Sequence, residues 1–144
     1  MTTFTSVFGG TTIYPSDVSL LNLALDEDVT LEWPLEAATG ANIIARIVEI
    51  TPSGAYTITM PDATQTGVGQ TILFNNLGPD DVTIVKSGGG ALLSLSAGEV
   101  WQVYLTSNSS VAGVWVSYQF GSTTTTANAG ALAGAGLFAI ANTL

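Results

Sequence analysis

Val100-Trp101-Gln102-Val103-Tyr104-Leu105, a break at Asn108-Ser109-Ser110-Val111-Ala112-Gly113, and then Val114-Trp115-Val116-Ser117-Tyr118-Gln119-Phe120 decide the fold class. Both runs are rich in β-branched and aromatic residues, which suit a pleated, half-buried surface. The break carries the Asn, Ser and Gly of a hairpin loop. The same rhythm repeats upstream. Ala91 to Leu95 is set off by Gly88-Gly89-Gly90 on one side and Ala97-Gly98-Glu99 on the other. Gln70 to Asn75 and Val82 to Val85 flank the turn Asn76-Leu77-Gly78-Pro79-Asp80-Asp81, across which they are expected to pair. In Ala55 to Met60 the side chains alternate, placing Tyr56, Ile58 and Met60 on one face. Ile43 to Ile50 is nearly all apolar and β-branched, so it reads as a central strand covered on both faces. Val29 to Trp33, stopped by Pro34, and Val18 to Leu25, closed by Asp26-Glu27-Asp28, complete the series.

Eight or nine short strands with a turn every eight to twelve residues predict an all-β domain, a β-sandwich or jelly-roll-like barrel. Its core is expected from Leu23, Ile44, Ile58, Ile72, Phe74, Ile84, Trp101, Val103 and Val116. At 144 residues the chain suffices for one such core. The expected organisation is an N-terminal arm over 1–17, a β-sandwich domain over 18–121, and a tether with a short C-terminal oligomerisation helix over 122–144.

The tether, Ser122-Thr123-Thr124-Thr125-Thr126, is polar; the stretch from Ala129 to Leu144 carries no charge. With Asn128 capping a helix, Gly130, Ala133, Leu137, Ile140 and Leu144 recur at spacings of three, four, three and four. That is an a/d seam, small above and large below, of the kind through which helices associate. So short and apolar a helix is marginal alone in water and must pack against something. Copies of itself are the most economical partner; folding back across its own sheet is the alternative.

Composition narrows the function further. Apolar residues make up 47% and charged residues 9%, and the formal net charge is -9 with Arg46 and Lys86 the only basic side chains. Tracking a phosphate backbone takes several cations, so direct nucleic-acid binding is not expected. The chain has no cysteine and no histidine. Thiolate chemistry and the commonest general base are thereby removed. The start, Met1-Thr2-Thr3-Phe4, does not read as a secretory signal, and the apolar tail is shorter than the about 20 residues of a membrane span.

Candidate chemistry is sparse. Asp26-Glu27-Asp28 and Asp80-Asp81 are the carboxylate clusters, but neither has the alternating spacing of a calcium loop, and both read as solvated turns. Lys86 precedes Ser87-Gly88-Gly89-Gly90, the reverse of a phosphate loop's order. Arg46, within an apolar run, should sit at an edge or interface, or, if buried, pair with Glu32 or Glu49. Trp33, Trp101, Trp115, Tyr104 and Tyr118 would serve either as core and interface or as a sugar-stacking platform. A non-enzymatic chain without metal or cofactor is the expectation.

Ile58-Thr59-Met60-Pro61-Asp62-Ala63-Thr64-Gln65-Thr66-Gly67-Val68-Gly69-Gln70, with Phe74-Asn75-Asn76-Leu77-Gly78 behind it, resembles a module of tailed-bacteriophage tail fibre and appendage proteins. So do Gly90 to Glu99, Val103 to Asn108 and Gly113-Val114-Trp115. The ending Leu132-Ala133-Gly134-Ala135-Gly136-Leu137, followed by Asn142-Thr143-Leu144, resembles the helical connector that follows such modules. Val7-Phe8-Gly9-Gly10 through Trp33-Pro34-Leu35-Glu36 resembles their N-terminal regions.

The resemblance implies a homotrimeric structural virion protein, made in the host cytoplasm, anchored to a tail adaptor or nozzle, and projecting a helical shaft for host adsorption. A capsid cement or decoration protein or head fibre, and a carbohydrate- or receptor-binding module, stay open beside it. The sequence stops at Leu144 without the long shaft and receptor-binding tip of a full fibre. It would be either the attachment portion of a longer fibre or a short appendage. A trimer attaching to rings of another symmetry needs an adaptable arm, for which Thr2, Phe4, Val7, Phe8 and Tyr14 are the candidates.

Overall fold

The computed structural model describes residues 18–34 and 40–120. Through them run β1 (Leu20–Leu25), β2 (Val29–Thr30), β3 (Ile47–Pro52), β4 (Tyr56–Thr59), β5 (Thr71–Asn76), β6 (Val82–Val85), β7 (Ala91–Leu95), β8 (Val100–Ser107) and β9 (Val114–Phe120). They make two mixed sheets, one of order β1-β3-β5-β8-β9 and one of order β2-β4-β6-β7. The all-β class is as expected. The expected C-terminal helix, with Gly130, Ala133, Leu137, Ile140 and Leu144, lies outside the described residues, as does the expected arm with Thr2, Phe4, Val7, Phe8 and Tyr14.

Winding rather than hairpins organises the first six strands. Odd-numbered strands enter the five-stranded sheet and even-numbered ones the four-stranded sheet, so each strand pairs in parallel with the next but one. Leu20, Ile47 and Leu73 stand side by side in one sheet, and Val29, Ile58 and Ile84 in the other. Parallel strands need a crossover, and here the crossover is a strand of the opposite sheet instead of a helix. From β7 the chain reverses: β7 pairs antiparallel with β6, β8 with β5, and β9 with β8.

This corrects the expected pairing of β5 with β6, which lie in different sheets. The segment between them is a corner. Asn76 accepts a hydrogen bond from Gly78 N–H at 3.0 Å through Oδ1 and donates from Nδ2 to Asp80 O at 2.8 Å and Leu95 O at 3.1 Å. Leu77 N–H donates to Ile50 O at 2.8 Å where the chain passes from one sheet to the other. Asn76 is fully buried in the row where Leu23 and Ile50 sit in the neighbouring strands. Its polar atoms are tolerated there because each has a partner.

Side chains from both sheets meet in one buried cluster: Val48, Ile50, Ile72, Phe74, Val103 and Leu105 from the first, and Ile58, Val82, Ile84 and Leu95 from the second. Leu23, Ile44, Ile58, Ile72, Phe74, Ile84 and Val103 are buried as expected, and Trp101 packs against the cluster half-buried.

Two further expectations fail. Val116 is 37% exposed, because Trp115 stands opposite the buried Leu105 and turns inward, leaving Val116 beside Tyr104 on the other face. Ile43 to Ile50 is not one strand covered on both faces. β3 begins at Ile47, Ile43 forms an isolated bridge with Glu32, and only one face of β3 is covered: Val48 and Ile50 are buried while Ile47 is exposed. No helix among the described residues is long and apolar enough to cross a membrane.

Candidate functional site on the five-stranded sheet

Opposed residues of paired strands share a face, so the outward rows of the five-stranded sheet can be read from its register. One row runs Leu20, Ile47, Leu73, Gln102, Tyr118. Beside it runs Thr71, Tyr104, Val116, and on the other side Asn22, Glu49, Asn75, Val100, Phe120. The β8–β9 end of this face is apolar. Val114, Val116, Tyr118 and Phe120 are 54%, 37%, 43% and 45% exposed. Tyr118 lies edge-on to Tyr104, centroids 6.2 Å apart at 63°, and tilted to Phe120 at 5.8 Å and 54°.

Behind this surface the inward side of β9 carries one apolar side chain, Trp115. Trp115 is buried and donates from Nε1 to Ala112 O at 3.0 Å, but Ser117 and Gln119 follow it. Gln119 donates to Glu99 Oε1 at 3.1 Å, while Glu99 Oε2 accepts from Trp101 Nε1 and from Ser96 N–H, each at 3.0 Å. One carboxylate thus clamps the ends of β8 and β9 and the turn before them. The hydrophobic alternation of β9 points outward, away from the core. That inversion caused the misplacement of Val116, and it is also the signal by which the face, Phe120 included, is recognisable.

The candidate sugar platform does not assemble. Trp33 is buried, with Nε1 donating to Asp62 O at 2.7 Å, Trp115 is buried, and Trp101 is tied to Glu99. Of the five aromatics only Tyr104 and Tyr118 share the outer face, and Phe120 joins them.

Arg46 is exposed, as expected of an edge or interface position. Glu32 accepts from Gly40 N–H at 2.9 Å. Arg46 borders a cleft of about 440 Å³ formed with Ser19, Ile47, Thr71, Leu73 and Gln102, the last of which stands opposite Tyr118.

The acidic clusters are turn residues. Asp28 Oδ1 accepts from Thr57 N–H at 2.7 Å, pinning the β1–β2 turn to β4, and Asp80 contributes its carbonyl to Asn76. Among the described residues no three metal-capable side chains converge. Lys86 is half-buried at a glycine turn, its N–H donating to Gly90 O at 2.7 Å.

Charge is distributed unevenly along the chain. After Glu99 no charged side chain occurs through Leu144, so the β8–β9 face and the whole of 121–144 form one uncharged run. No protein-family model matches the chain, no curated protein matches its sequence, and no solved structure matches it.

Proposed function

We propose that this chain is a structural protein of a tailed-phage virion, a homotrimeric tail fibre or its attachment portion. In this reading the two sheets are the layers of one sandwich that docks on the particle, and the C-terminal helices of three copies join along Gly130, Ala133, Leu137, Ile140 and Leu144. The arm, through Thr2, Phe4, Val7, Phe8 and Tyr14, seats each copy on a tail adaptor or on the capsid.

One observation carries the proposal: an outward apolar sheet face continues in sequence into an uncharged terminal segment in which Gly130, Ala133, Leu137, Ile140 and Leu144 recur at spacings of three and four. Exposed apolar surface of this kind marks an interaction site. An acidic chain with two cations is suited to protein partners in preference to nucleic acid or anionic lipid. Copy number and position in purified particles test the reading. A dozen or so copies and antibody label at the tail support a fibre; hundreds of copies over the head make it a cement protein; none in the particle refutes the proposal.

Tyr104, Tyr118 and Phe120 favour a second reading as a carbohydrate-binding face. Tyr118 is inclined by 63° to Tyr104 and by 54° to Phe120, so neither pair offers one flat two-ring platform. The self-association reading is therefore preferred, and a glycan array with the intact chain separates the two.

A further inference from the structure

We propose that the outer face of β8 and β9, built from Tyr104, Val114, Val116, Tyr118 and Phe120, is the surface on which a second copy of this chain docks. The inference rests on the reading that the chain self-associates, and adds where the β-domains touch.

β9 is an edge strand of seven residues, Val114–Phe120. Natural sheets protect such edges with charges, proline or bulges that discourage pairing. β9 has no charged residue and no proline, and its one register shift against β8, between Leu105 and Ser107, lies at the hairpin end. Among the described residues no strand pairs with its free edge, and such a strand, with four apolar side chains facing out, is built to be covered.

Charge selects the occupant. Each copy carries a formal charge of -9, and Asp26-Glu27-Asp28 and Asp80-Asp81 gather acids on the turns that follow β1 and β5. Two identical acidic bodies approach at least electrostatic cost through a surface without charge, and β8–β9 is such a surface. A basic partner would instead be drawn to the acidic turns.

Tethering favours a sister chain over any foreign protein. Phe120 ends β9, and 121–128 separate it from the apolar segment that begins at Ala129. Eight residues span at most about 28 Å. Copies joined through the terminal seam therefore hold their β9 faces at high effective concentration, so even a modest contact is populated.

A photocrosslinker tests the contact in the full chain. Tyr118→benzoylphenylalanine is compared with Thr83→benzoylphenylalanine, which places the probe at an exposed position of β6 in the other sheet. Isotopically labelled and unlabelled copies are mixed, so that mass spectrometry distinguishes links between chains from links within one. Light scattering on the same samples reports the number of chains. The expected result is an oligomer in which position 118 gives at least tenfold more interchain product than position 83. An oligomer in which position 118 links only to its own chain's 121–144, or to nothing, overturns the docking face and leaves self-association standing. A monomer without interchain product overturns both. Phe120→benzoylphenylalanine repeats the measurement from a second position on the face.

Discussion

Tyr118 rests edge-on against Tyr104 at 6.2 Å on the side of β8 and β9 that faces away from the core. The two are diagonal neighbours, since Tyr104 stands opposite Val116 and Tyr118 opposite Gln102. An aromatic pair adds about 0.5–1.5 kcal/mol beyond the area that it buries. Placed outward, it stiffens a surface without filling the interior. A contact surface gains from such pre-arrangement, because less side-chain freedom is lost on docking.

Tyr118→Ala should therefore act differently in the free and the assembled chain. Urea unfolding at low protein concentration should show a loss of about 1–3 kcal/mol, from its ring contacts with Tyr104 and Phe120. At high concentration the loss should be larger, because association no longer adds its share to stability. Equal losses at both concentrations would mean that Tyr118 touches no other copy.

Asn76→Ala should be among the most damaging single substitutions in the domain. It leaves Gly78 N–H, Asp80 O and Leu95 O without their side-chain partner inside the protein. Unsatisfied buried groups cost about 1–3 kcal/mol each, so a total of about 3 kcal/mol or more is expected from denaturant unfolding. Asn75→Ala, one residue away on the outer face, should cost about 0.5 kcal/mol or less.

Gly113 is fixed by geometry. Its φ is +66°, and a Cβ there would lie 2.6 Å from Ala63 Cβ and 2.8 Å from Leu105 Cδ1. Gly113→Ala should lower stability by about 2–4 kcal/mol, combining left-handed backbone strain with overpacking. Gly88 also has positive φ, +89°, but opens onto empty space. Gly88→Ala should cost only about 1 kcal/mol, and thermal melts of the two variants separate strain from crowding.

Trp115 and Val116 give the clearest test of which side of β9 is inside. Trp115→Ala should cost about 3–5 kcal/mol, as for a large core residue. Val116→Thr should stay within about 1 kcal/mol in the free chain. The reverse order would place the core on the other face of the strand.

Strand positions were legible because Val82–Val85, Ala91–Leu95 and Val114–Phe120 are bounded on each side by turn residues. Pairing was not. A strand run such as Thr71–Asn76 looks alike whether its next neighbour is antiparallel across a turn or parallel two strands away. The difference here lies in the corner built by one buried asparagine. The winding left a faint trace in the recurrence of Leu20, Ile47 and Leu73 and of Val29, Ile58 and Ile84, which spacing alone did not disclose. For the candidate face, periodicity marked the apolar side of β9 correctly and its direction wrongly. Apolar alternation says that a face avoids water, not which protein covers it.

Association of identical chains is the claim on which the rest depends, and native mass spectrometry of the intact 144-residue protein at micromolar concentration tests it directly. A species of three chains is expected. A single chain at every concentration would contradict it.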